Sequence, residues 1–337
     1  EEPMNLETGA TGHIGNVLVR ELVARGKAVR AMVMPGEDCA SLEGLPVEVV
    51  EANVLDRPAL DQVMRGVEVV YHLAAVISIL PGKDEAVRRI NIEGTHNVLQ
   101  AARAAGVRRL LYTSSIHALS RTEHSGYIDE SVPFDPQNPI GEYDRSKAAA
   151  SLEVMDAVRD GLEAVVVCPT GVIGPHDYRS SEMGLLFVDW MEDKSNVLID
   201  GAFDFVDVRD VATGMILAAE KGVPGDLYIL SGEQISLVTM MKIVKALLRL
   251  PIRLVKIPLP LARLFAHIAL LYYRFSHTKP RFTPYSVETV ADSTPISREK
   301  ARVQLGYNPR SLAVTIRDTI EWWRGHQKLV KVKAHDR

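Results

Sequence analysis

The chain has 337 residues, of which 47% are hydrophobic and 24% charged, and its formal net charge is −4. This length allows one large domain or two modest ones, and the apolar fraction excludes global disorder. The acidic balance gives no basic surface for nucleic acid, and the two cysteines, Cys39 and Cys168, are typical of free thiols. We therefore expect a cytoplasmic protein with no nucleic-acid partner.

Three glycines near the start of the chain predict a nucleotide-binding turn. Gly9, Gly12 and Gly15 belong to the octet TGATGHIG at 8–15, and an apolar helical pattern follows them. Such a turn lets the backbone approach a pyrophosphate closely, and the N–H groups of the helix N-terminus face the anion. Glu7, just before the turn, departs from this pattern because a carboxylate is a poor residue for a buried parallel strand.

Strands and helices alternate through the following residues. Predicted strands cover 28–33, 47–51, 67–73, 109–113, 164–168, 203–208 and 227–230, and predicted helices cover 58–64, 84–105, 143–159 and 211–221. This alternation predicts an α/β fold with a doubly wound parallel sheet. The predicted dinucleotide-binding domain comprises residues 1–175 and 203–233. A smaller, mostly helical C-terminal substrate lobe comprises 176–202 and 234–325, and 326–337 form a basic tail.

The longest apolar region, 254–275, is interrupted by prolines and charged residues and is too broken for a transmembrane helix. Apolar residues recur there at helical spacing, namely Leu261, Leu264, Phe265, Ile268, Leu271 and Tyr272. We favour an amphipathic helix that packs on its own domain. The alternatives are a lid over an apolar substrate and a peripheral membrane contact.

Tyr143 and Lys147 stand four residues apart on a predicted helix and therefore share a face. A lysine beside a phenol lowers the phenol pKa, so the tyrosine can act as a general acid or base nearer neutral pH. Ser114 and Ser115 close the strand 109–113, at the sheet edge where a ligand would lie. A serine hydroxyl there could hold a substrate oxygen next to the tyrosine. Taken singly, a Tyr-x-x-x-Lys pair is more often a solvated helix face.

Together these motifs resemble the extended branch of the short-chain dehydrogenase/reductases. They occur in the family's order: TGATGHIG at 8–15, HLAA at 72–75, NIEGTHNV at 91–98, YTSS at 112–115, YDRSK at 143–147, CPTGVIGP at 168–175 and FVDVRDVA at 205–212. The resemblance runs from Thr8 to Trp323. It implies a Rossmann-type sheet, an NAD or NADP cofactor, and a homodimer formed through the 84–105 and 143–159 helices.

The resemblance also implies roles for individual residues. Tyr143 would be the acid/base, Ser115 would bind the substrate oxygen, Lys147 would hold the nicotinamide ribose, and Asn91 would be the structural member of the catalytic set. The implied cofactor contacts are Gly9, Ala10, Thr11, Gly12, His13, Ile14, Gly15, Asn53, Val54, Leu73, Ala74, Ala75, Ser114, Tyr143, Lys147, Pro169, Thr170 and Val172.

Three further residue-level expectations concern Asn53, His117 and metal binding. Asn53 replaces the aspartate usual in the family, although its side-chain oxygen can still accept from the adenine amine. His117, just after Ser115, is interpreted as a solvated loop histidine. Since no Cys, His, Asp and Glu residues have metal-ligand spacing, we expect no metal.

The residues after the second strand favour NAD over NADP. Family members that bind NADP often carry arginine there, whereas this chain has Met34, followed by Glu37 and Asp38. With two carboxylates nearby and no cation at that position, electrostatics disfavour a 2′-phosphate, although Arg30 could still reach in.

Two branches of the family compete for the function. Residues 116–119 lack the Asp-Glu pair with which dehydratases of the family follow the serine region. Residues 200–205 contain aspartates where nucleotide-sugar enzymes have an arginine for the diphosphate. We therefore expect hydride transfer between a hydrophobic ketone or aldehyde and its alcohol, as in the 3β-hydroxysteroid dehydrogenase and dihydroflavonol reductase groups. A nucleotide-sugar epimerase or dehydratase is the alternative, and a non-catalytic cofactor-sensing protein is the second alternative.

Overall fold

Parallel strands form the main sheet of the protein, seen in a computed structural model that describes residues 3–77, 84–194, 197–199, 201–276 and 283–326. The strands are β1 (Met4–Thr8), β2 (Val29–Val33), β3 (Glu48–Glu51), β4 (Val67–His72), β5 (Arg109–Thr113), β6 (Ala164–Pro169), β7 (Gly171–Ile173), β8 (Val197–Ile199), β9 (Ala202–Asp207), β10 (Leu227–Leu230), β11 (Glu233–Ser236) and β12 (Val255–Ile257).

The order of strands in the main sheet creates a ligand-binding edge. Among the described residues the sheet has seven strands in the order β10-β6-β5-β4-β1-β2-β3, all parallel. The order reverses between β1 and β4, so the loops that leave these two strands diverge and open a crevice at their carboxyl ends. The Rossmann-type fold expected from the sequence is confirmed.

Helices cover both faces of this sheet. They are α1 (His13–Ala24), α2 (Arg57–Val63), α3 (Asp84–Arg88), α4 (Gly94–Ala105), α5 (Glu142–Arg159), α6 (Glu182–Met191), α7 (Val208–Lys221), α8 (Leu237–Leu248), α9 (Leu259–Ser276), α10 (Pro284–Ala291) and α11 (Leu312–Gly325). Buried side chains of α1 and α7 pack on one face, and those of α2, α4 and α5 pack on the other. Most strand side chains are therefore buried on both faces, as parallel sheets require.

The second half of the chain adds a separate apolar cluster. Side chains of α6, α8 and α11 meet around Phe187, Trp190 and Trp323, which are all completely buried. A three-stranded sheet of β11, β9 and β7 joins this cluster to the main sheet, and β12 pairs with β8. The sequence predicted β9, as 203–208, but not β7, β8, β11 or β12, because three or four residues carry too little periodicity.

Two local features differ from the sequence-based expectations. The predicted helix 84–105 is divided by a π-helical turn at Arg89–Glu93 that separates α3 from α4. Glu7, which was unfavourable for a buried strand, nevertheless lies inside β1 with no exposed surface. Burial raises the pKa of this carboxyl well above its ordinary value, because it disfavours the charged form.

Helix α9 does not pack as the preferred interpretation required. Its buried side chains are the small Ala262 and Ala266, whereas Leu264 and Ile268 are 56% and 52% exposed. The expectation of an apolar stripe packed on its own domain is therefore wrong for the described part of this helix. Within the described ranges, no helix combines the length and apolarity that crossing a bilayer requires.

Candidate active site

The turn between β1 and α1 is shaped by its glycines. Gly9 has φ = 93°, and a Cβ there would lie 3.1 Å from the backbone nitrogen of Ala74. A Cβ on Gly15 would come within 2.2 Å of the Gly9 carbonyl oxygen. Gly12, the N-cap residue of α1, provides no side-chain cap for the first helical N–H groups. This close turn at an uncapped helix N-terminus fits a dinucleotide pyrophosphate.

Buried hydrogen bonds connect this turn to β4 and α4. The Thr8 hydroxyl lies 2.8 Å from Nδ1 of His72, and Nε2 of His72 lies 3.0 Å from the Thr95 hydroxyl. Thr95 in turn donates to the Asn91 carbonyl. Burial lowers the pKa of His72 to about 3, so the ring is neutral, with Nε2 as its donor. Since the Leu73 and Ala74 N–H groups also donate to Thr8, the network fixes the loop after β4.

Asn91 lies in the π-helical turn and joins two parts of the site. Its amide exchanges two hydrogen bonds with the backbone of Val76, at 2.8 and 3.0 Å, and donates a third to the Ser146 hydroxyl of α5. The structural role that the resemblance implied for Asn91 stays a prediction. Ala75, the other predicted cofactor contact in this loop, is half-buried beside them.

Ser115 and Tyr143 meet at the carboxyl end of β5. Both side chains are buried, the Ser115 hydroxyl accepts from the His117 N–H at 3.2 Å, and Ser115 lies near enough to the Tyr143 phenol to lower its pKa. Burial nevertheless raises the pKa of Tyr143 above its ordinary value, since the lowering effect of Ser115 is smaller. The sequence-based expectation of a lowered phenol pKa is therefore wrong for the protein without cofactor.

Lys147 explains this difference. Its Nζ donates to the Thr113 carbonyl at 2.7 Å and lies 5.1 Å from the centre of the Tyr112 ring. Burial lowers the pKa of the Lys147 ammonium to about 8. The ammonium is thus hydrogen-bonded to the end of β5. Ser114, also predicted as a cofactor contact, shares a 2.7 Å hydrogen bond with Ser151 of α5.

The predicted adenine contacts are partly engaged within the protein. Oδ1 of Asn53 accepts from the Leu55 N–H at 2.9 Å, which leaves one lone pair for an adenine amine. The Val54 side chain is buried against α4, where Gly94 allows close approach, and the Val54 carbonyl accepts from Asn97.

Sequence reasoning missed Arg179, which lies over the glycine turn. Its guanidinium donates to the Thr11 hydroxyl at 2.7 Å and forms an ion pair with Glu37. Glu37 also accepts from the Met34 N–H, just after β2. No motif could have indicated this contact, because Arg179 and Glu37 are 142 residues apart in the sequence.

Neighbouring residues hold the Arg179 segment in place. Nε2 of His13 lies 2.9 Å from the Pro175 carbonyl, and Asn16 donates to the His176 carbonyl. Two other predicted cofactor contacts in the turn, Ala10 and Ile14, differ in burial. The Ala10 side chain is buried in the sheet core, and that of Ile14 is half-buried.

The predicted nicotinamide contacts lie after β6. Pro169 and Thr170 are buried, and Val172 is half-buried in β7. The Thr170 hydroxyl donates to Asp204 at 2.6 Å, so this hydroxyl serves the fold. The same carboxylate accepts from the Gly232 N–H. Asp204, one of the aspartates noted in the sequence at 200–205, therefore holds neighbouring segments together. Asp200, the other aspartate noted there, lies outside the described residues.

Aromatic rings line the side of the site beyond Ser115. His117 stacks on Phe203, with 5.5 Å between ring centres and 5° between planes. Burial lowers the pKa of His117 to about 3, so the interpretation as a solvated histidine is wrong. A cavity of about 20 Å³ continues from these two rings, and Ile116, Leu119, Ile128 and Ile296 contribute most of its remaining wall.

Charged groups at this wall neutralise one another. Arg121 bonds Nδ1 of His117 at 2.8 Å and contacts Asp144 at 3.4 Å and Asp292 at 3.9 Å. Asp144 accepts from the Tyr285 phenol of α10, and burial raises the pKa of this carboxyl to about 6. Among the described residues, no group of three His, Cys, Asp or Glu side chains could hold a metal ion.

Comparisons with known proteins agree with this geometry. The model of the NAD dependent epimerase/dehydratase family matches residues 6–231. Sterol demethylase protein B of Methylococcus capsulatus is 35% identical over 325 residues, which cover 95% of this chain and 98% of that protein.

Two further matches span nearly the whole chain. The 4-hydroxy-2-methyl-3-oxo-4-farnesyl-3,4-dihydroquinoline-1-oxide ketoreductase of Stigmatella aurantiaca is 30% identical, covering 90% of this chain and 91% of that protein. The crystal structure of gox2253 superposes with a TM-score of 0.84 at 31% identity, covering 96% of this chain and 99% of that chain.

Proposed function

Because the chain belongs to the NAD-dependent epimerase/dehydratase family, the extended short-chain dehydrogenase/reductases, we propose that it interconverts a hydrophobic ketone or aldehyde and its alcohol. The observation that carries this proposal is the pair of buried hydroxyl side chains, Ser115 and Tyr143, at the carboxyl end of β5. These two hydroxyls lie at the sheet edge where the glycine turn would bind a dinucleotide.

Tyr143, Ser115 and Lys147 have distinct tasks in the proposed reaction. The bound nicotinamide supplies or accepts the hydride. Tyr143 donates its phenolic proton to the carbonyl oxygen during reduction, and its raised pKa keeps that proton available at neutral pH. Ser115 hydrogen-bonds the same oxygen and fixes its position. The Lys147 ammonium, at the end of β5, holds the ribose and stabilises the phenolate left after transfer.

The surroundings of Ser115 favour an apolar substrate without phosphate. The wall at His117 and Phe203 is aromatic, and the cavity behind it is mostly apolar. Arg121, a cation at this wall, is already paired with Asp144 and Asp292, so a substrate diphosphate would have to break those contacts. The names of two relatives refer to a sterol and to a farnesyl-bearing quinoline, both large apolar molecules.

We also propose NAD as the cofactor. Glu37 lies beside Met34, where the ribose of the adenosine is bound in this fold, and it neutralises Arg179. A carboxylate at this place accepts from the ribose hydroxyls and repels a 2′-phosphate.

The replacement Tyr143→Phe tests the assignment of the proton donor. We expect turnover of a lipophilic ketone with NADH to fall on the order of a hundredfold or more. Calorimetric binding of NADH should be nearly unchanged, because the phenol ring is retained. Tyr127→Phe, at a tyrosine that is 47% exposed, is the matched control and should keep full activity.

The substrate assignment needs a separate measurement. NADH oxidation is followed over steroid ketones, other lipophilic ketones and aldehydes, and nucleotide-diphosphate sugars. Activity on the apolar carbonyls supports the proposal. Turnover of only the sugar nucleotides would instead establish an epimerase or dehydratase, and NADH binding without any turnover would favour a cofactor-sensing protein.

A further inference from the structure

Helix α9 presents its large apolar side chains to solvent. Leu261, Leu264, Phe265 and Ile268 are 43%, 56%, 44% and 52% exposed. Their spacing of three and four residues places them along one face of the helix. Among the described side chains of α9, only Ala262 and Ala266 are fully buried, and Leu259 at its start is partly buried against the same cluster.

Further exposed apolar side chains lie on the segments next to α9. Leu247, Ile252 and Val255 precede the helix and are at least half exposed, and Val197 of β8 is paired with Val255 in the backbone register. These residues and the α9 stripe account for eight of the fifteen large hydrophobic side chains that are exposed in the described ranges. We call them the α9 surface. Apolar residues so concentrated indicate a surface that contacts another apolar phase.

The charge of the same stretch is strongly one-sided. From Gln234 to Val287 the sequence has nine lysines and arginines and no aspartate or glutamate. Arg249, Arg253 and Lys256 are exposed and lie between the apolar residues of the α9 surface. Among the described residues, Asp193 contacts Lys245 and Glu288 contacts Arg263.

We propose that the α9 surface binds the face of an anionic lipid bilayer, with the apolar stripe in the acyl boundary and the cations at the lipid headgroups. Apolar burial and cation attraction together give stable peripheral binding, where either alone is weak. A second copy of the chain is a poorer occupant, because two faces of the same positive charge repel. The chain as a whole is acidic, so attraction to anionic lipid must come from this surface.

The position of α9 gives this binding a consequence for the site. Helix α10 lies between the α9 surface and the aromatic wall, since Val287 packs against Ala262 and Ala266 while Tyr285 bonds Asp144. Bilayer binding would place the active site within one helix of the membrane. The docking proposal itself stands on exposure and charge, so it does not depend on the proposed function.

Vesicle co-sedimentation of the full chain tests the proposal. We expect binding to mixed phosphatidylglycerol and phosphatidylcholine vesicles, weakening with added salt, and much weaker binding to phosphatidylcholine alone. The double replacement Leu264→Ser with Phe265→Ser should weaken binding to the anionic vesicles on the order of tenfold or more. Arg249→Gln with Arg253→Gln should weaken it on the order of fivefold for each cation removed.

Matched controls separate this effect from a general loss of apolar surface. Val223→Ser and Val303→Ser replace valines that are 54% and 65% exposed elsewhere, and both variants should bind like the parent chain. Circular dichroism and thermal unfolding check that each variant folds. No binding of the parent chain, or equal binding of the Leu264/Phe265 variant, would overturn the proposal. Loss of an oligomer in that variant, measured by light scattering without vesicles, would identify a contact between copies and overturn it equally.

Discussion

Buried ionisable side chains show how strongly individual residues depend on their surroundings. Tyr143 and Lys147 have opposite pKa shifts from one cause, because burial disfavours the charged form of each. The phenol is therefore held neutral, while the ammonium, with a pKa of about 8, becomes easier to deprotonate. In the proposed reaction, a neutral phenol would suit proton delivery to the carbonyl oxygen, which is the reduction direction.

Glu7 costs stability at neutral pH. Its folded pKa lies well above the ordinary value of 4.5, so the unfolded chain releases this proton more readily than the folded chain. The penalty is absent below pH 4.5 and grows as the pH rises above that value. We predict that Glu7→Gln increases the free energy of unfolding in urea more at pH 7 than at pH 4.5. The exposed Glu43→Gln is the control, and an equal gain at both pH values would contradict the explanation.

Glu37 is predicted to set the choice between NAD and NADP. Removing its charge in Glu37→Gln leaves Arg179 free to pair with a 2′-phosphate. We expect the ratio of dissociation constants, NADP to NAD, to fall on the order of tenfold when measured by calorimetry. Asp38→Asn, at an exposed neighbouring carboxylate, should leave the ratio unchanged. If both variants behave like the parent, Glu37 does not face the 2′-position.

Among the helices, the break between α3 and α4 positions Asn91. A π-helical turn displaces one stretch of backbone, and here it contains Asn91 with its bonds to Val76 and Ser146. The Thr95 hydroxyl, one turn later, donates to the Asn91 carbonyl and accepts a hydrogen bond from Nε2 of His72. The irregular turn is therefore stabilised by the same network that fixes the loops around the cofactor site.

This network makes His72 sensitive to replacement. We predict that His72→Leu lowers the free energy of unfolding by on the order of 2–4 kcal/mol, because two buried threonine hydroxyls lose their partner. The contribution of neutral His72 is complete above pH 6.5 and is lost as the pH falls toward about 3, so the deficit of the variant should shrink in acid. His96→Leu, at an exposed histidine of α4, should cost much less. A deficit that is independent of pH would contradict the lowered pKa of His72.

For the molecule as a whole, charge is distributed unevenly. The acid-free stretch 234–287 carries +9, so the rest of the chain carries −13. The net charge of −4 does not show this separation of charge, so the composition alone does not predict binding to an anionic membrane. The tail predicted to be basic, 326–337, lies outside the described residues except for His326.

The homodimer remains a prediction. Helices α4 and α5 pack side by side, and Leu152 of α5 is 39% exposed on their outer surface. We expect light scattering coupled to size exclusion to give the mass of two chains. Leu152→Arg should give one, because it buries an unpaired charge in an apolar contact. A single-chain mass for the parent protein would contradict the expectation.

The sequence by itself determined the parallel sheet, the glycine turn and the chain order of the site motifs. These follow from periodicity and turn chemistry within short stretches, where Gly9 and Gly15 or Tyr143 and Lys147 stand at informative spacings. Tertiary structure alone decided which face of α9 meets solvent, why His117 is neutral, where the Lys147 ammonium points and that Arg179 reaches Glu37. Each of these depends on burial or on contacts between distant segments, and neither quantity is encoded in local spacing.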